Sequence, residues 1–471
     1  MIQDLTKGSP AKLIVMFALP ILIGNLFQQL YSITDILIVG RLIGVNALAA
    51  VGATAPIFFV FLLISFGFTG GLTVVTAQRF GAGDVVGVKK SITHAIMASG
   101  VLCFLMTLVL VLFLRLLLKI MNVPEEIMHD AYVFMSILSF GLVMIVFYNL
   151  LSGFVRALGD SKTPLYFLIF STLLNVAFNF VLIYYLKMGV AGSALGTVLA
   201  ASVALVLCGI YVWFKFPIIR VDKADFQYNG KILREQLKIA LPMALQFSVL
   251  SFSMMVIQSA CNGFGADVIA AFTAALRIEQ LATQPLLALG MTMATFSAQN
   301  WGAAKIKRIR QGVRFSAFLS LVFSLLATLC VRYVGRSMIS VFLAEDNAFI
   351  VQVGKAYLSV STMFYFFLSM IFIFRNTLQG MGKAVIPLVA SLTELFMRSI
   401  AAIFLAKLMG YEGLFYASPI AWVGATIVVS VGYVVSVKHI KAKKSTVYFK
   451  KNRHQIHLKA AMSTTQQTPV E

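Results

Sequence analysis

Seventeen acidic residues occur in this 471-residue chain, and only Asp35, Glu279 and Glu394 lie well inside long apolar runs. An ionised side chain at the centre of a hydrocarbon layer costs at least about 2.5–3.5 kcal/mol on insertion scales. It persists there beside a partner, a water-filled cavity or a cation, and its chemistry is the binding and release of protons or small cations. Asp35 has company in "LFQQLYSITDILIVGR", residues 26–41. Gln28, Tyr31 and Asp35 are spaced i, i+3, i+7 and share one helix face, which Gly24 extends. That face reads as a polar, water-reachable pocket. The competing reading is a lone acid near a helix end that reaches outward to water.

Three further constellations have helical spacing. Ser171, Asn175 and Asn179 recur every four residues and form one polar stripe, which is either part of a site or a set of interhelical hydrogen bonds worth about 0.6–2 kcal/mol each. Glu394 and Arg398 are i, i+4 in the favourable order; they form either a neutralised structural pair or a charged site. Glu279 shares a face with Thr283, just before Pro285, and Arg277 points elsewhere, so cation coupling and a structural role both stay open for Glu279.

Other chemistries find no support. His439, His454 and His457 lie in the tail, His129 in a loop and His94 at the start of a run, without metal-ligand spacing, so no metal is expected. Cys103, Cys208, Cys261 and Cys330 fall in separate runs and read as packing. There is no Walker loop for ATP and no nucleophile–base set, so no cofactor and no enzymatic activity are expected. The 21 Met and 40 Phe read as lipid-facing and core material, some able to line an adaptable pocket.

These residues sit in an oily chain. Sixty per cent is hydrophobic and 12% charged, against about 25% charged in soluble domains. Twelve runs are long enough to cross roughly 30 Å of hydrocarbon: 13–39, 47–77, 92–118, 131–155, 165–186, 190–214, 237–260, 268–297, 315–341, 354–378, 384–408 and 413–437. They are continuous rather than alternating, so they predict helices and an all-α integral membrane fold. The first is too long for a cleavable signal peptide. The net charge of +21 concentrates in alternate connections, such as "RFGAGDVVGVKKS" and "RALGDSKTP". The other connections, "PEEIMHD", "NGFGAD" and "AEDNA", are acidic or short. This places both termini in the cytoplasm of a multi-pass cell-membrane protein. No basic patch carries interleaved stacking aromatics, which argues against nucleic-acid binding.

The chain repeats. "ALP" recurs at 18–20 and 240–242, "TAQRFGAGD" (76–84) answers "SAQNWGAAK" (297–305), "RALGDSKTP" (156–164) answers "QGMGKAVIP" (379–387), and "MGVAG" (188–192) answers "MGYEG" (409–413). The offset stays between 221 and 223 residues. Six spans per repeat is an even number, so the repeats run parallel, with a central cavity at their interface. The expected units are an N-terminal lobe 1–214, a cytoplasmic linker 215–236, a C-terminal lobe 237–437 and a basic tail 438–471 with a disordered end. Pro20, Pro56, Pro242 and Pro285 interrupt spans and let helices bend there, and Pro20, in the first span, is a candidate hinge.

With these residues in view, "LTKGSPAKLIVMFALPILIGNLFQQLYSITDILIVGRLIGVNALAAVG" (5–52) resembles the multidrug and toxic compound extrusion (MATE) family, as do "TAQRFGAGD", "RALGDSKTP", "MGVAGSALGT", "LTELFMRSIAAIF" and "SPIAWVGA". The resemblance covers about 5–437. It implies twelve helices in two lobes forming a V, and export of bulky, often cationic or amphipathic compounds driven by inward H⁺ or Na⁺. It implies that Asp35 is the coupling residue, with Gln28, Tyr31, Asn175 and Thr197 around it. One departure stands out: many relatives carry a second Asp in span 5 where this chain has Asn179, and span 7 lacks the acid some members use there.

The expected mechanism is alternating access. Burial disfavours the charged carboxylate, Asp35 takes up the ion from outside, its contacts with Asn175 and Asn179 change, and span 1 adopts another bend. Ion and cargo must favour different states. The substrate cavity is expected to include Gln28, Tyr31, Asp35, Asn175, Asn179, Thr197, Glu394 and Arg398, with Asp35, Asn175, Asn179 and Glu279 attending the coupling ion. Expected partners are drug-like molecules and the bilayer, and a monomer is expected. Two alternatives remain: a flippase for lipid-linked saccharides of the same superfamily, and a receptor or scaffold that kept the fold.

Overall fold

The computed structural model describes residues 3–341 and 347–442, and within them the chain is helical without strands. The helices are α1 Pro10–Leu42, α2 Val45–Gly81, α3 Val85–Ile120, α4 Glu125–Ala157, α5 Lys162–Asn179, α6 Gly189–Lys215, α7 Gly230–Asn262, α8 Ala266–Ala282, α9 Gln284–Gly302, α10 Ile306–Ser340, α11 Ala348–Met363, α12 Tyr365–Gly380, α13 Val385–Met409 and α14 Leu414–Ala442. Residues 1–2, 342–346 and 443–471 lie outside the described residues.

Twelve crossings account for these fourteen helices. The eighth is split into α8 and α9 at Thr283, with Pro285 unable to donate to the ladder. The tenth is split into α11 and α12 at Phe364, where the two axes differ by 50°. The sequence marks the eighth span as interrupted at Pro285 and predicts the tenth as continuous; apolar periodicity is indifferent to a break that leaves the run oily. The helices also overrun the predicted spans. Apolarity ends at the membrane interface, whereas intrahelical hydrogen bonding continues through polar residues such as Glu125 and Lys89. For the same reason α7 begins at Gly230, inside the expected linker. Asn229 caps it, its side chain accepting from the backbones of Lys231 and Ile232. The preceding segment is clamped to the start of α3: Thr93 donates to the Asp225 carbonyl at 2.8 Å, and buried His94 accepts from the Asn229 backbone through Nε2 at 2.8 Å.

The repeat is visible in backbone geometry. Left-handed φ values occur in pairs at Gly44 and Gly265 (121° and 89°), Gly83 and Ala304 (73° and 57°), Gly159 and Gly382 (89° and 78°), and Gly189 and Gly410 (57° and 64°). Ala304 holds this conformation despite a Cβ penalty of about 1–2 kcal/mol, because the turn between α9 and α10 repeats the turn between α2 and α3.

The two lobes exchange helix halves. The first half of α1, with Leu13, Ile14, Phe17, Ala18 and Ile21, packs into a core built from α9, α10, α12 and α14. Its second half packs on lobe 1, where Val39 meets Phe134, Leu138 and Ala194. In α7, Ala240 and Ala244 pack with Leu72, Ile92 and Phe154 of lobe 1, while Cys261 joins the lobe 2 core. Pro20 and its repeat mate Pro242 sit in the early parts of these two shared helices.

Contact between the lobes is closest near the N-terminal end of α1. A Cβ on Gly81 would overlap the Gln299 carbonyl, and one on Gly302 would overlap the Gln78 carbonyl. Arg79 of lobe 1 pairs with Glu235 of α7 at 2.6 Å. The chain start is strapped across the same end: Leu5 is fully buried in the lobe 2 core, and Arg308 donates to the carbonyls of Leu5, Lys7 and Gly8.

Candidate functional site

A continuous polar chain runs through lobe 1. Asn179 Nδ2 donates to Asp35 Oδ1 at 2.7 Å and to Asn175 Oδ1 at 3.0 Å. Asn175 Nδ2 donates to Thr197 Oγ1 at 3.1 Å, and Thr197 donates to the Ser193 carbonyl at 3.2 Å. The Tyr31 hydroxyl lies 3.5 Å from the same Thr197 oxygen. Three helices supply these groups: α1 gives Tyr31 and Asp35, α5 gives the two asparagines, and α6 gives Thr197.

Local sequence explains the positions. The four-residue spacing of Asn175 and Asn179 stacks them one turn apart on α5, and both are buried. After Asn179 the chain widens into a π-helical turn, Phe180–Tyr185, a feature often found at functional sites. Gly196 on α6 makes room: a Cβ there would overlap Asn179 Oδ1. That oxygen is buried and accepts no hydrogen bond among the described residues.

The structure separates the other predicted residues. Gln28 does not join this chain; it lines a cleft further down α1 with Asn25, Asn149 and Arg156. Ser171 donates to the Ala200 carbonyl at 3.3 Å, tying α5 to α6. Glu394 and Arg398 sit deep in lobe 2, 2.6 Å apart, and Arg375 of α12 meets the other Glu394 oxygen at 3.1 Å. Arg398 also donates to Ser253 of α7. Glu279 lies beside the Tyr357 and Ser361 hydroxyls with Arg398 near, and its Oε2 is buried without a partner. The second lobe thus holds its own charged cluster, joined by no hydrogen bond to the Asp35 chain among the described residues.

Two residues escaped sequence reasoning. Arg375 lies in the apolar run "FIFRNTL", and scanning the runs for bases as well as acids would have found it. Arg156 reads in sequence as a charge marking a loop; the structure puts it inside α4, facing the cleft.

Fold and polar chain together define a two-lobed, twelve-span membrane transporter. A family model described as MatE matches residues 20–181 and 242–404. The chain belongs to the MATE family, whose members are transporters and not enzymes, and the model matches it once in each repeat. Among curated relatives, the chain is 29% identical to "Probable multidrug resistance protein YpnP" of Bacillus subtilis over 394 residues, 83% of this chain and 86% of that one. It is 23% identical to the "FAD transporter" of Shewanella oneidensis, covering 89% and 93% of the two chains. The structure of a MOP superfamily transporter from Pyrococcus furiosus superposes with a TM-score of 0.86 at 23% identity, covering 93% of this chain and 98% of that chain.

Proposed function

We propose that this protein is a secondary active exporter of bulky, often cationic or amphipathic compounds, exchanging them for inward H⁺ or Na⁺, with Asp35 as the coupling carboxylate. The observation that carries this reading is the Asp35–Asn179–Asn175–Thr197–Tyr31 chain, which ties the acid of α1 to α5 and α6. Ion arrival at Asp35 replaces or weakens the Asn179 hydrogen bond. The upper half of α1 is held to lobe 1 partly through that bond, and the lower half is held by lobe 2, so a change at Asp35 acts across the Pro20 region. Only an ion that binds the two arrangements unequally can shift them. The relatives' names, multidrug resistance and export proteins among them, support drug-like cargo.

In this reading residues 1–214 and 237–437 are the two lobes, and both termini face the cytoplasm of the cell membrane. The close-packed end at Gly81 and Gly302 is then the inner side, shut, with access from outside. The Glu394 cluster is the core of lobe 2 and holds its helices in register while the lobes rock. The test is transport in proteoliposomes under separate pH and Na⁺ gradients. An ion gradient that drives cargo in the wild type and not in Asp35→Asn supports the reading; full gradient-driven transport by that variant sinks it.

A further inference from the structure

We propose that Arg156, Asn25 and Ser152 form a binding site for an oxyanion, the carboxylate or phosphate of an amphiphilic molecule, in the cleft where α1, α4 and α5 of lobe 1 face lobe 2. The cleft narrows to a cavity of about 80 Å³ lined by Asn25, Gln28, Tyr148, Asn149, Ser152 and Arg156, with Met291 of lobe 2 beside it. That is room for several waters. A carboxylate or phosphate head fits such a space, with the body of the molecule left in the cleft.

The lining is a set of donors without their acceptor. No carboxylate comes within ion-pair distance of Arg156 among the described residues. Asn25 Nδ2 is buried without a hydrogen-bond partner among the described residues, and Ser152, only 3% exposed, has its hydroxyl turned to Tyr148. Tyr148 lies beside Ser152 and Arg156, its hydroxyl donating to the Pro164 carbonyl at 3.3 Å. A guanidinium offers five N–H groups in a fixed fork that matches carboxylate and phosphate geometry. Buried polar groups are normally hydrogen-bonded, so the idle Asn25 amide and the Arg156 guanidinium without a carboxylate, both on one cavity, call for an acceptor.

The repeat supplies the control. The mate of Arg156 in lobe 2 is Gln379, which is buried and donates to Gln246 at 2.8 Å. The mate of Gln246 in lobe 1 is Gly24, which has no side chain to offer and lines the cavity. At the same place in the fold, lobe 2 closes a neutral amide pair on itself. Lobe 1 has gained a cation and lost the partner, and the space between is open. Asn25 and Asp35 are ten residues apart on α1, about 15 Å along its axis, so the anion site is separate from the coupling acid. The assignment rests on the transport reading, since it names a charged group of the cargo, or of a lipid that competes with it.

Rhodamine B, which carries a free carboxylate, and its ethyl ester, which does not, are matched probes. Binding is read by fluorescence anisotropy on purified protein in lipid-free detergent. The expected result is that the acid binds about ten-fold tighter than the ester, the effect of a charge-assisted hydrogen-bonded pair. Arg156→Gln abolishes that preference and leaves ester binding unchanged, while Arg156→Lys keeps part of it. Displacement of the acid by millimolar inorganic phosphate identifies a dissolved anion as the ligand; displacement only by added phosphatidylglycerol identifies a lipid headgroup. Equal binding of acid and ester, or loss of both in proportion in Arg156→Gln, overturns the proposal. If Arg156→Gln does not purify as a folded protein, Asn25→Leu carries the same comparison. Equilibrium binding needs no ion gradient, so this result stands or falls apart from the role of Asp35.

Discussion

Gln78 and Gln299 are repeat mates that reach into opposite lobes. Gln78 Nε2 donates to the Gly380 carbonyl at 2.7 Å, and Gln299 Nε2 donates to the Ala157 carbonyl at 2.8 Å. Each amide therefore ties the end of its own helix, α2 or α9, to the end of a helix in the other repeat. Gln299 also accepts from the Leu5 backbone at 2.9 Å, so the N-terminal strap shares this lock.

Removing one of these cross-lobe bonds weakens the closed end by about 0.5–1.5 kcal/mol. Gln78→Ala and Gln299→Ala shift the population toward lobes separated at that end, by roughly two- to ten-fold each. Gly302→Ala acts more strongly, since its Cβ meets the Gln78 carbonyl, and overpacking costs about 1–3 kcal/mol. Interlobe distances from spin labels placed near residues 83 and 304 measure the shift; unchanged distance distributions in all three variants would refute the lock.

Asn179 is the residue through which Asp35 meets α5. Asn179→Leu leaves the carboxylate without its amide donor and the Asn175 oxygen without its partner, a loss of about 1–3 kcal/mol. Gradient-driven transport in proteoliposomes should fall about ten-fold or more, with helical content by circular dichroism unchanged. Gly196→Ala, which pushes on the same Asn179 oxygen from α6, should produce a milder form of the same defect.

Glu394 is shared by Arg375 and Arg398, so its loss leaves two buried guanidiniums facing each other. Glu394→Gln should destabilise the detergent-solubilised protein by about 3–5 kcal/mol, the usual result of removing one member of a buried ion pair. Thermal unfolding followed by intrinsic fluorescence reads this directly. Arg375→Met should cost less, because Arg398 still neutralises the carboxylate. The order of the two melting temperatures is the point at risk.

Arg308 holds three carbonyls of the strap. Arg308→Ala removes these charge-assisted bonds, each worth about 1.5–3 kcal/mol, and should expose the backbone after Lys7 to trypsin. Cleavage at that bond, timed by mass spectrometry, should quicken at least several-fold while cleavage in the 216–229 connection keeps its rate.

A proton-coupled cycle also has a direction in pH. If Asp35 carries H⁺, acidifying the outer side at constant Na⁺ should speed export by the wild type and have no effect on Asp35→Asn. A Na⁺ gradient at equal pH should then drive nothing. The opposite pattern assigns the site to Na⁺.

The sequence by itself determined the membrane class, the twelve crossings and the two repeats, because each depends on quantities that local residues carry: apolar length, charge in the connections and recurrence at one offset. It also put Tyr31 with Asp35 and Asn175 with Asn179, since residues three or four apart on one helix share a face. What it did not carry were contacts between helices. The meeting of Asn179 with Asp35 across 144 residues was expected from the family resemblance and not from local spacing, and nothing local says that Glu394 has a second cation in Arg375 or that α1 lends its first half to the opposite lobe. Pro285 marked the eighth crossing as interrupted, but the break at Phe364 stayed hidden because a bent crossing and a straight one bury the same oily residues. Gln28 shows the limit most clearly. It lies on the face of Asp35 by spacing, yet two turns of helix carry it about 10 Å away, from Asp35 to the cleft of Arg156, and only the packing of α4 and α5 around α1 decided which of the two it lines.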